Sequence, residues 1–296
     1  MNVYISLGLV ACSDRRSSGK TVCRGGGSVE SKWLFPSEVQ ELEDLVAEGQ
    51  ILIHGGGTGI PRNRVRSVRT VVDLSRIGWD RCVRDGEFIR IGAMCTFNQV
   101  VRELGELRPG HILTKSLNAA ASTALRNRIT VGGSVTFFPV WSDLMGPLLA
   151  LGASVDLVGT CGGVYPLEDF VSNRGRFKKT VIRSVLIPDE EWLSWYYREV
   201  RVGFDYPGCT ITLLLRKNGR VVEDFRGVVV GTKNRFMILD QIAQLVKDCP
   251  CGDVVVAGLG DELDLAFPDK KSGSSEYFRQ VTAVWIERGL AELLER

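Results

Sequence analysis

Residues 51–61, ILIHGGGTGIP, place four glycines within five positions directly after a short apolar run. The apolar run is typical of a buried strand, and glycines that follow it cost conformational entropy unless a tight turn or a ligand requires bare main chain. This segment therefore favours folds in which a strand ends at a close approach of the backbone. A dinucleotide-binding turn, an anion cradle and a plain tight turn are the competing interpretations.

The dinucleotide-binding fingerprint, G-x-G-x-x-G opening a helix, does not fit this segment. Gly55 and Gly57 supply the first two glycines, but Ile60 stands at the third position and Pro61 follows. Residues 18–21 (SGKT) resemble the end of a Walker A motif, yet Asp14 replaces its first glycine, where a carboxylate would repel phosphate. We therefore predict neither motif.

An anion cradle remains open. Consecutive main-chain N–H groups in a glycine-rich turn form a concave nest for phosphate oxygens. Residues 130–134 (TVGGS) are predicted as a second glycine turn, which would present further N–H groups from across a cleft. Two such turns suit a pyrophosphate, although two tight turns without a ligand account for the same residues equally well.

Charge and residue counts exclude several other functions. The net charge is +2, with 37 Lys and Arg against 35 Asp and Glu, which gives no electrostatic footprint for nucleic acid or an anionic membrane. Eight scattered cysteines without a CxxC pair, together with only two histidines, predict no metal or iron–sulfur site in this chain. No apolar stretch approaches the roughly 20 residues of a spanning helix, so we expect a cytoplasmic protein.

The pattern changes twice along the chain, which predicts an α+β fold with a domain boundary near residue 190. Residues 1–31, rich in Gly, Ser and Arg, are predicted to be an N-terminal extension of unclear role. Residues 32–190 mix strands and helices, including a helix predicted over 116–126. Residues 191–296 contain two β-rich runs joined at Asn218 and Gly219, which predicts a hairpin, and helices at about 233–247 and 274–295.

Residues 124–157, ALRNRITVGGSVTFFPVWSDLMGPLLALGASVDL, resemble the FAD-binding subunit of molybdenum hydroxylases, the xanthine and carbon monoxide dehydrogenase flavoprotein family. The family pattern is an Arg–Asn pair, then Thr-Ile-Gly-Gly-Asn, a short loop and Ser/Gly-Asp-Leu. The first glycine loop lies about 75 residues upstream, as in the family, and the similarity extends from about Trp33 to the C-terminus. The residues in register are Arg126, Asn127, Thr130, Gly132, Gly133, Asp143 and Leu144.

The resemblance implies a two-lobed, PCMH-like FAD-binding domain of the molybdopterin dehydrogenase type at residues 32–190 and a small α+β C-terminal domain at residues 191–296. It implies FAD as cofactor, with the flavin ring as the reactive group and no catalytic side chain. It also implies partner subunits that carry the molybdenum cofactor and two-iron clusters, and NAD or another carrier as electron acceptor. The residues expected at FAD are Ile53, His54, Gly55, Gly56, Gly57, Thr58, Gly59, Thr130, Gly132, Gly133, Ser134, Asp143, Ile182 and Arg198.

Several of these residues depart from the family pattern or allow two interpretations. His54 replaces a small residue and is interpreted as a space-filling ring satisfied by backbone, with a charged group beside the cofactor as the alternative. Ser134 replaces asparagine and offers a shorter hydrogen-bonding group. Arg198 stands either at the place of a family lysine close to the flavin or as a solvated strand residue. Asp143 bonds cofactor hydroxyls, supports the first turn of a helix, or does both.

Two further functions stay open alongside the electron-transfer subunit. One is a non-catalytic scaffold that has lost FAD, and the other is a stand-alone FAD oxidoreductase of the vanillyl-alcohol oxidase type. An arginine cluster beside the first glycine loop is either a solvated face or a contact for phosphate or a partner subunit. Its members are Arg62, Arg64, Arg66 and Arg69.

Overall fold

The computed structural model describes residues 32–60, 68–203 and 205–296. Its strands are β1 (Lys32–Leu34), β2 (Ile51–His54), β3 (Thr70–Asp73), β4 (Cys82–Asp85), β5 (Phe88–Gly92), β6 (Ser154–Gly159), β7 (Gly163–Pro166), β8 (Thr180–Pro188), β9 (Leu193–Glu199), β10 (Cys209–Asn218), β11 (Val221–Thr232) and β12 (Arg235–Ile238). Its α-helices are α1 (Val39–Glu48), α2 (Phe97–Leu107), α3 (Ile112–Ala119), α4 (Thr123–Arg126), α5 (Val131–Phe137), α6 (Met145–Ala150), α7 (Leu167–Ser172), α8 (Asp240–Val246) and α9 (Ser275–Glu295).

The first sheet is parallel, with strand order β1-β3-β2. Leu42 and Val46 lie one turn apart on α1 and bury one face of that helix in a small core that includes Val72 of β3. The pairing register sets His54 directly opposite Asp73. The carboxyl ends of β2 and β3 therefore lie side by side where the glycine loop begins.

The second sheet is antiparallel, with strand order β4-β5-β8-β6-β7. Helices α2, α5 and α7 pack on it, and its core is built from alternate strand residues such as Ile91, Val155 and Val185. Helix α2 begins with a complete capping box formed by Thr96 and Gln99. The mixed α+β prediction is confirmed.

The helix predicted over 116–126 is two helices. Ala121, between α3 and α4, has a left-handed φ of 43°. Ser122 is the N-cap of α4, which begins at the next residue. Arg126 donates from Nη1 to the carbonyl oxygens of Ala120 and Ala121, at 2.9 and 3.0 Å. The break is therefore held by a side chain from the next helix, which helical periodicity alone does not reveal.

The third sheet is antiparallel, with strand order β12-β11-β10-β9. The hairpin prediction is confirmed: Asn218 pairs with Val221, and Gly219 adopts a φ of 61° in the turn between them. The helix predicted at about 233–247 is wrong in its first part, because Arg235–Ile238 pairs with β11 as an edge strand. The C-terminal helix is confirmed as α9, with Ser274 as its N-cap.

Both faces of the third sheet are buried, which joins it to the rest of the chain. Leu213 and Leu215 pack with residues of α9, whereas Leu214 between them belongs to the core of the second sheet. Helix α6 contacts β10 and β11 on that second face. The residues just before α6 therefore meet the third sheet. Across the described ranges, no helix has both the length and the hydropathy that crossing a bilayer requires.

Candidate functional site

The loop of residues 55–59 follows β2 directly. Its main-chain N–H groups have no hydrogen-bond partner among the described residues. Gly57 has a φ of 76°, a conformation that favours glycine. A Cβ atom on Gly56 would lie only 1.4 Å from the carbonyl oxygen of Arg128. The loop glycines thus allow a tight turn and a close backbone approach, and they leave several donors in a row available to an anion.

Arg128 holds the loop from the other side, and the sequence analysis did not anticipate this residue. Its Nε and Nη2 atoms each donate to the carbonyl oxygen of Gly56 at 3.2 Å. Arg128 is the second arginine in the RNR run, two residues after Arg126. Arg128 lies beside the glycine loop because of a tertiary contact between segments 72 residues apart. In the sequence, the one indication of this contact is the high density of arginine in the RNR run.

The second glycine segment is not a turn but the start of α5. Thr130 is the N-cap, and its Oγ1 accepts from Gly133 N at 3.3 Å. The N–H groups of Val131, Gly132 and Ser134 donate to Cys95, Ala93 and Thr130 carbonyl oxygens at 2.8–2.9 Å. The predicted second set of bare N–H groups is therefore wrong, because the protein itself uses them.

Close helix packing explains the glycine at position 132. A Cβ there would lie 2.7 Å from Ala93 Cβ and 3.1 Å from Ala93 O, just after β5. Position 133 is less crowded, since the neighbour of its Cβ is the Thr130 hydroxyl at 2.8 Å. Ser134 lies one turn into α5 with its side chain partly exposed. The two glycines of this motif thus differ in what they are needed for.

The two glycine segments nevertheless come together as expected. A Cβ on Gly55 would lie 3.1 Å from Thr130 Oγ1, and one on Gly59 would lie 3.6 Å from the ring of Phe137. The loop therefore runs beside α5 from its N-cap to its last residue. Phe137 is 44% exposed and begins a row of aromatic contacts that continues through Trp141 to Tyr206, with ring centroids 6.4 and 4.9 Å apart.

His54 is satisfied by a carboxylate rather than by backbone, which corrects the favoured interpretation of this residue. Its Nδ1 lies 2.7 Å from Asp73 Oδ2, and Trp33 contacts the ring edge-on at 5.2 Å. Asp73 Oδ1 also accepts from Ser75 N at 2.8 Å. Burial alone would raise the pKa of Asp73, but the bonds from His54 and Ser75 outweigh it and hold that pKa below its ordinary value.

Asp143 and Arg198 form a buried ion pair, so the interpretation of Arg198 as a solvated strand residue is wrong. Arg198 Nε donates to Asp143 Oδ1 at 2.6 Å, and Tyr196 OH donates to the same oxygen at 2.7 Å. Burial raises the pKa of Asp143, and the bonds from Arg198 and Tyr196 offset part of that rise. The support of α6 comes from Ser142, whose Oγ accepts from Leu144 N and Met145 N.

The remaining expected residues differ in their access to solvent. Ile53 is partly buried on β2, while Thr58 and Gly59 are exposed. Ile182 is only 4% exposed within the core of the second sheet, so any part it takes in binding depends on its main chain. Three of the clustered arginines and the predicted N-terminal extension lie outside the described residues; the arginines are Arg62, Arg64 and Arg66.

The loop and its neighbours fit the diphosphate of FAD. Within the part of the chain that the structure describes, the N–H groups of residues 55–59 have no partner, and a side chain on Gly56 would collide with the main chain of Arg128. A Cβ on Gly57 would meet His54 Nε2 at 3.0 Å and Arg128 Nη2 at 3.3 Å. Main-chain donors and an arginine guanidinium at one turn are groups that bind phosphate oxygens in proteins, and Arg128 supplies that guanidinium here.

Comparison with known proteins identifies relatives of this chain. Over most of its length the chain is similar to the glyceraldehyde dehydrogenase medium chain of Sulfolobus acidocaldarius (22% identical, covering 81% of this chain and 89% of that one). The nicotine 6-hydroxylase medium subunit of Paenarthrobacter nicotinovorans is also 22% identical, covering 88% and 96%. Indole-3-acetaldehyde oxidase of Zea mays is 24% identical over 55% of this chain, which spans only 13% of the maize enzyme.

Solved structures share the fold. The chain matches reconstituted CO dehydrogenase from Oligotropha carboxidovorans with a TM-score of 0.80 at 17% identity, covering 92% of this chain and 100% of that one. It matches quinoline 2-oxidoreductase from Pseudomonas putida 86 with a TM-score of 0.78 at 18% identity, covering 90% and 97%.

The family model described as the FAD binding domain in molybdopterin dehydrogenase matches residues 28–190, more than half of the chain. The protein therefore belongs to this family, and its cofactor is FAD.

Proposed function

We propose that this chain is the FAD-carrying electron-transfer subunit of a molybdenum hydroxylase complex. Electrons would reach it from two-iron clusters on one partner subunit, after substrate oxidation at the molybdenum cofactor of another, and leave to NAD or a different carrier. The carrying observation is the row of N–H groups at residues 55–59, which have no partner among the described residues and lie beside Arg128. The similarity over 81% and 88% of this chain to proteins named medium chain and medium subunit supports the assignment to a complex.

The residues of the chain would bind and orient the cofactor. The loop N–H groups donate to diphosphate oxygens, and Arg128 adds a charge-assisted donor. Thr130 fixes the start of α5 beside Gly55, and exposed Phe137 offers an apolar ring beside Gly59. Bound FAD supplies the exchange between one-electron and two-electron transfer.

Asp143 keeps a role at the cofactor in this proposal, with one oxygen more available than the other. Oδ1 already accepts two short bonds, whereas the one bond that Oδ2 accepts from the described residues is a 3.5 Å contact with Arg198 Nη2. A cofactor hydroxyl would therefore donate to Oδ2. Arg198 acts here through Asp143, as a positioning residue, and direct contact with the flavin is not required.

A division into functional units accompanies the proposal. The second sheet closes with β8 at Pro188, and the third begins with β9 at Leu193. We therefore propose residues 32–190 as the FAD-binding domain and residues 191–296 as a smaller C-terminal domain, after an extension at residues 1–31. The shared core around Leu214 makes these two units pack as neighbours.

The visible spectrum of the purified full chain tests the cofactor. We expect flavin bands and the release of FAD on denaturation. Gly56→Val should fold and lose the colour, because a Cβ at this position meets Arg128 O. Gly175→Ala is the matched control, since nothing lies within 4 Å of its Cβ, and it should keep the colour. A folded, colourless protein that ignores added FAD would favour the scaffold that has lost FAD.

Anaerobic titration and co-purification test the electron path. Bleaching of the flavin bands by NADH would support NAD as the acceptor, whereas bleaching by a quinol alone would support a quinone. Co-purification with subunits containing iron and molybdenum would support the complex. A flavoprotein that purifies alone and oxidises an organic substrate by itself would instead support the stand-alone oxidoreductase.

A further inference from the structure

We infer that His54, oriented by Asp73, is a proton-dependent ligand of the diphosphate at the glycine loop, so that FAD binding takes up a proton at this imidazole. The inference rests on the proposed function and adds a specific chemical role to a residue that departs from the family pattern. Three features carry it: the His54–Asp73 bond, the place of Nε2, and the unpaired donors around Gly57.

Asp73 decides which imidazole nitrogen carries hydrogen. Its carboxylate is held by Ser75 N and His54 Nδ1, and its pKa lies below the ordinary value, so it is ionised and can only accept hydrogen bonds. The bond at 2.7 Å therefore requires a hydrogen on Nδ1 of His54. In the neutral ring Nε2 is then a lone-pair acceptor.

A phosphate oxygen and a neutral Nε2 in this arrangement are both acceptors and cannot bond to each other. A contact between them needs the imidazolium form, in which Nε2 also carries hydrogen. Protonation therefore turns an unfavourable neighbour of the diphosphate into a charge-assisted donor. Diphosphate binding at His54 is therefore coupled to the uptake of one proton.

The position of Nε2 places that donor at the loop. A Cβ built on Gly57 would lie 3.0 Å from His54 Nε2 and 3.3 Å from Arg128 Nη2, so both nitrogen atoms reach the same turn. The N–H groups of residues 55–59 lie beside them without partners in the described part of the chain. The inference is that these three kinds of donor bind the same diphosphate.

The charged groups that face His54 act in opposite directions. Asp73 on β3 favours the imidazolium, whereas Arg128, in the connection between α4 and α5, opposes a second positive charge at Gly57. Trp33 on β1 presents an uncharged ring edge. A bound diphosphate offsets the positive charge of Arg128 and therefore favours the imidazolium form of His54. By linkage, uptake of one proton makes the affinity for FAD fall as pH rises, by at most about tenfold per pH unit.

NMR of the full chain tests the proton uptake directly, because the chain has only two histidines. Burial lowers the pKa of His111 to about 4, so the His111 signal serves as an internal reference in the neutral range. We expect the His54 ring signals to move towards those of the imidazolium when FAD is added at constant pH. Unchanged His54 ring signals with FAD bound would overturn the inference.

The pH dependence of FAD affinity, followed by fluorescence, tests the same coupling by another route. The wild type should lose affinity for FAD as pH rises through the neutral range. His54→Gln keeps a hydrogen-bond donor that does not titrate and should make the affinity independent of pH. In Asp73→Asn the ring is no longer held in the tautomer with hydrogen on Nδ1. A neutral ring can then donate from Nε2, so the FAD affinity should depend less on pH. Circular dichroism controls for folding of both variants.

Ligand controls separate this inference from the proposed function. ADP-ribose carries the same diphosphate diester and should show the same pH dependence, whereas riboflavin carries no phosphate and should show none. FAD binding with the wild-type slope preserved in His54→Gln would overturn the role of His54 and leave the FAD site intact. Absence of FAD and ADP-ribose binding at every pH would overturn the proposed function itself.

Discussion

Asp143 and Arg198 are joined by a 2.6 Å bond between Oδ1 and Nε, and their side chains are only 8% and 10% exposed. Asp143 lies just before α6, and Arg198 lies on β9 of the third sheet. Two further bonds from Arg198, to the carbonyl oxygens of Gly203 and Asp205, hold the guanidinium in place. The pair thus connects the family motif of the first 190 residues to the C-terminal sheet.

Removal of Arg198 should destabilise the protein strongly. Arg198→Ala leaves the Asp143 carboxylate buried without its cation, which typically costs about 3–5 kcal/mol. Arg201→Ala is the matched control, because Arg201 is 59% exposed in its pair with Asp205 and exposed ion pairs contribute little to stability. Urea unfolding measures both. Similar losses in the two variants would contradict a buried, mutually dependent pair.

Mutation of Arg126 should affect protein stability, whereas mutation of Arg128, two residues away, should affect FAD binding. Arg126 bonds to the carbonyl oxygens of Ala120 and Ala121, so Arg126→Ala should cost about 1.5–3 kcal/mol of stability. Arg128 is exposed and reaches Gly56 O, so Arg128→Ala should weaken FAD binding about tenfold or more with little effect on stability. Unfolding curves and FAD titrations of both variants decide this, and the reverse pattern would refute it.

Substitution of the two glycines of α5 should have different effects on stability. Gly132→Ala forces a Cβ against Ala93 at 2.7 Å, and such overpacking costs about 1–3 kcal/mol. Gly133→Ala meets only the Thr130 hydroxyl, and the better helix propensity of alanine, about 1 kcal/mol, offsets that contact. Thermal or urea unfolding is the measurement. Equal destabilisation would mean that packing on Ala93 is not what selects glycine at position 132.

His111 should make the protein less stable in acid. Burial lowers its pKa in the folded state to about 4, below the value of about 6.5 in the unfolded chain. The stability contributed by the neutral ring is fully present above about pH 6.5 and is lost as pH falls to about 4, about 2 kcal/mol of it between pH 7 and pH 5.

His111→Asn isolates this effect. His111 Nδ1 accepts from Leu113 N at 3.2 Å as the N-cap of α3, and asparagine is an equally good N-cap that does not titrate in this range. Urea unfolding at pH 7 and pH 5 should show a smaller loss in the variant than in the wild type. An identical loss would assign the acid sensitivity to other groups.

Much of the fold and the family follows from short stretches of sequence. The strand at residues 51–54, the glycine loop after it, the Asn218–Gly219 hairpin and the helix that follows Ser274 depend on periodicity, turn chemistry and capping within a few residues. The spacing of the two glycine motifs likewise identified the FAD-binding family. Such signals are local, so no partner elsewhere in the chain is needed to read them.

The tertiary structure alone decided which groups the site brings together. The register of two parallel strands pairs His54 with Asp73, and packing of α6 on the third sheet pairs Asp143 with Arg198, 55 residues away. Close approach to Ala93, rather than a ligand, takes up the N–H of Gly132 and makes residues 130–134 a helix start. A sequence records the donors and acceptors, but their partners depend on strand register and helix packing, which are properties of the whole fold.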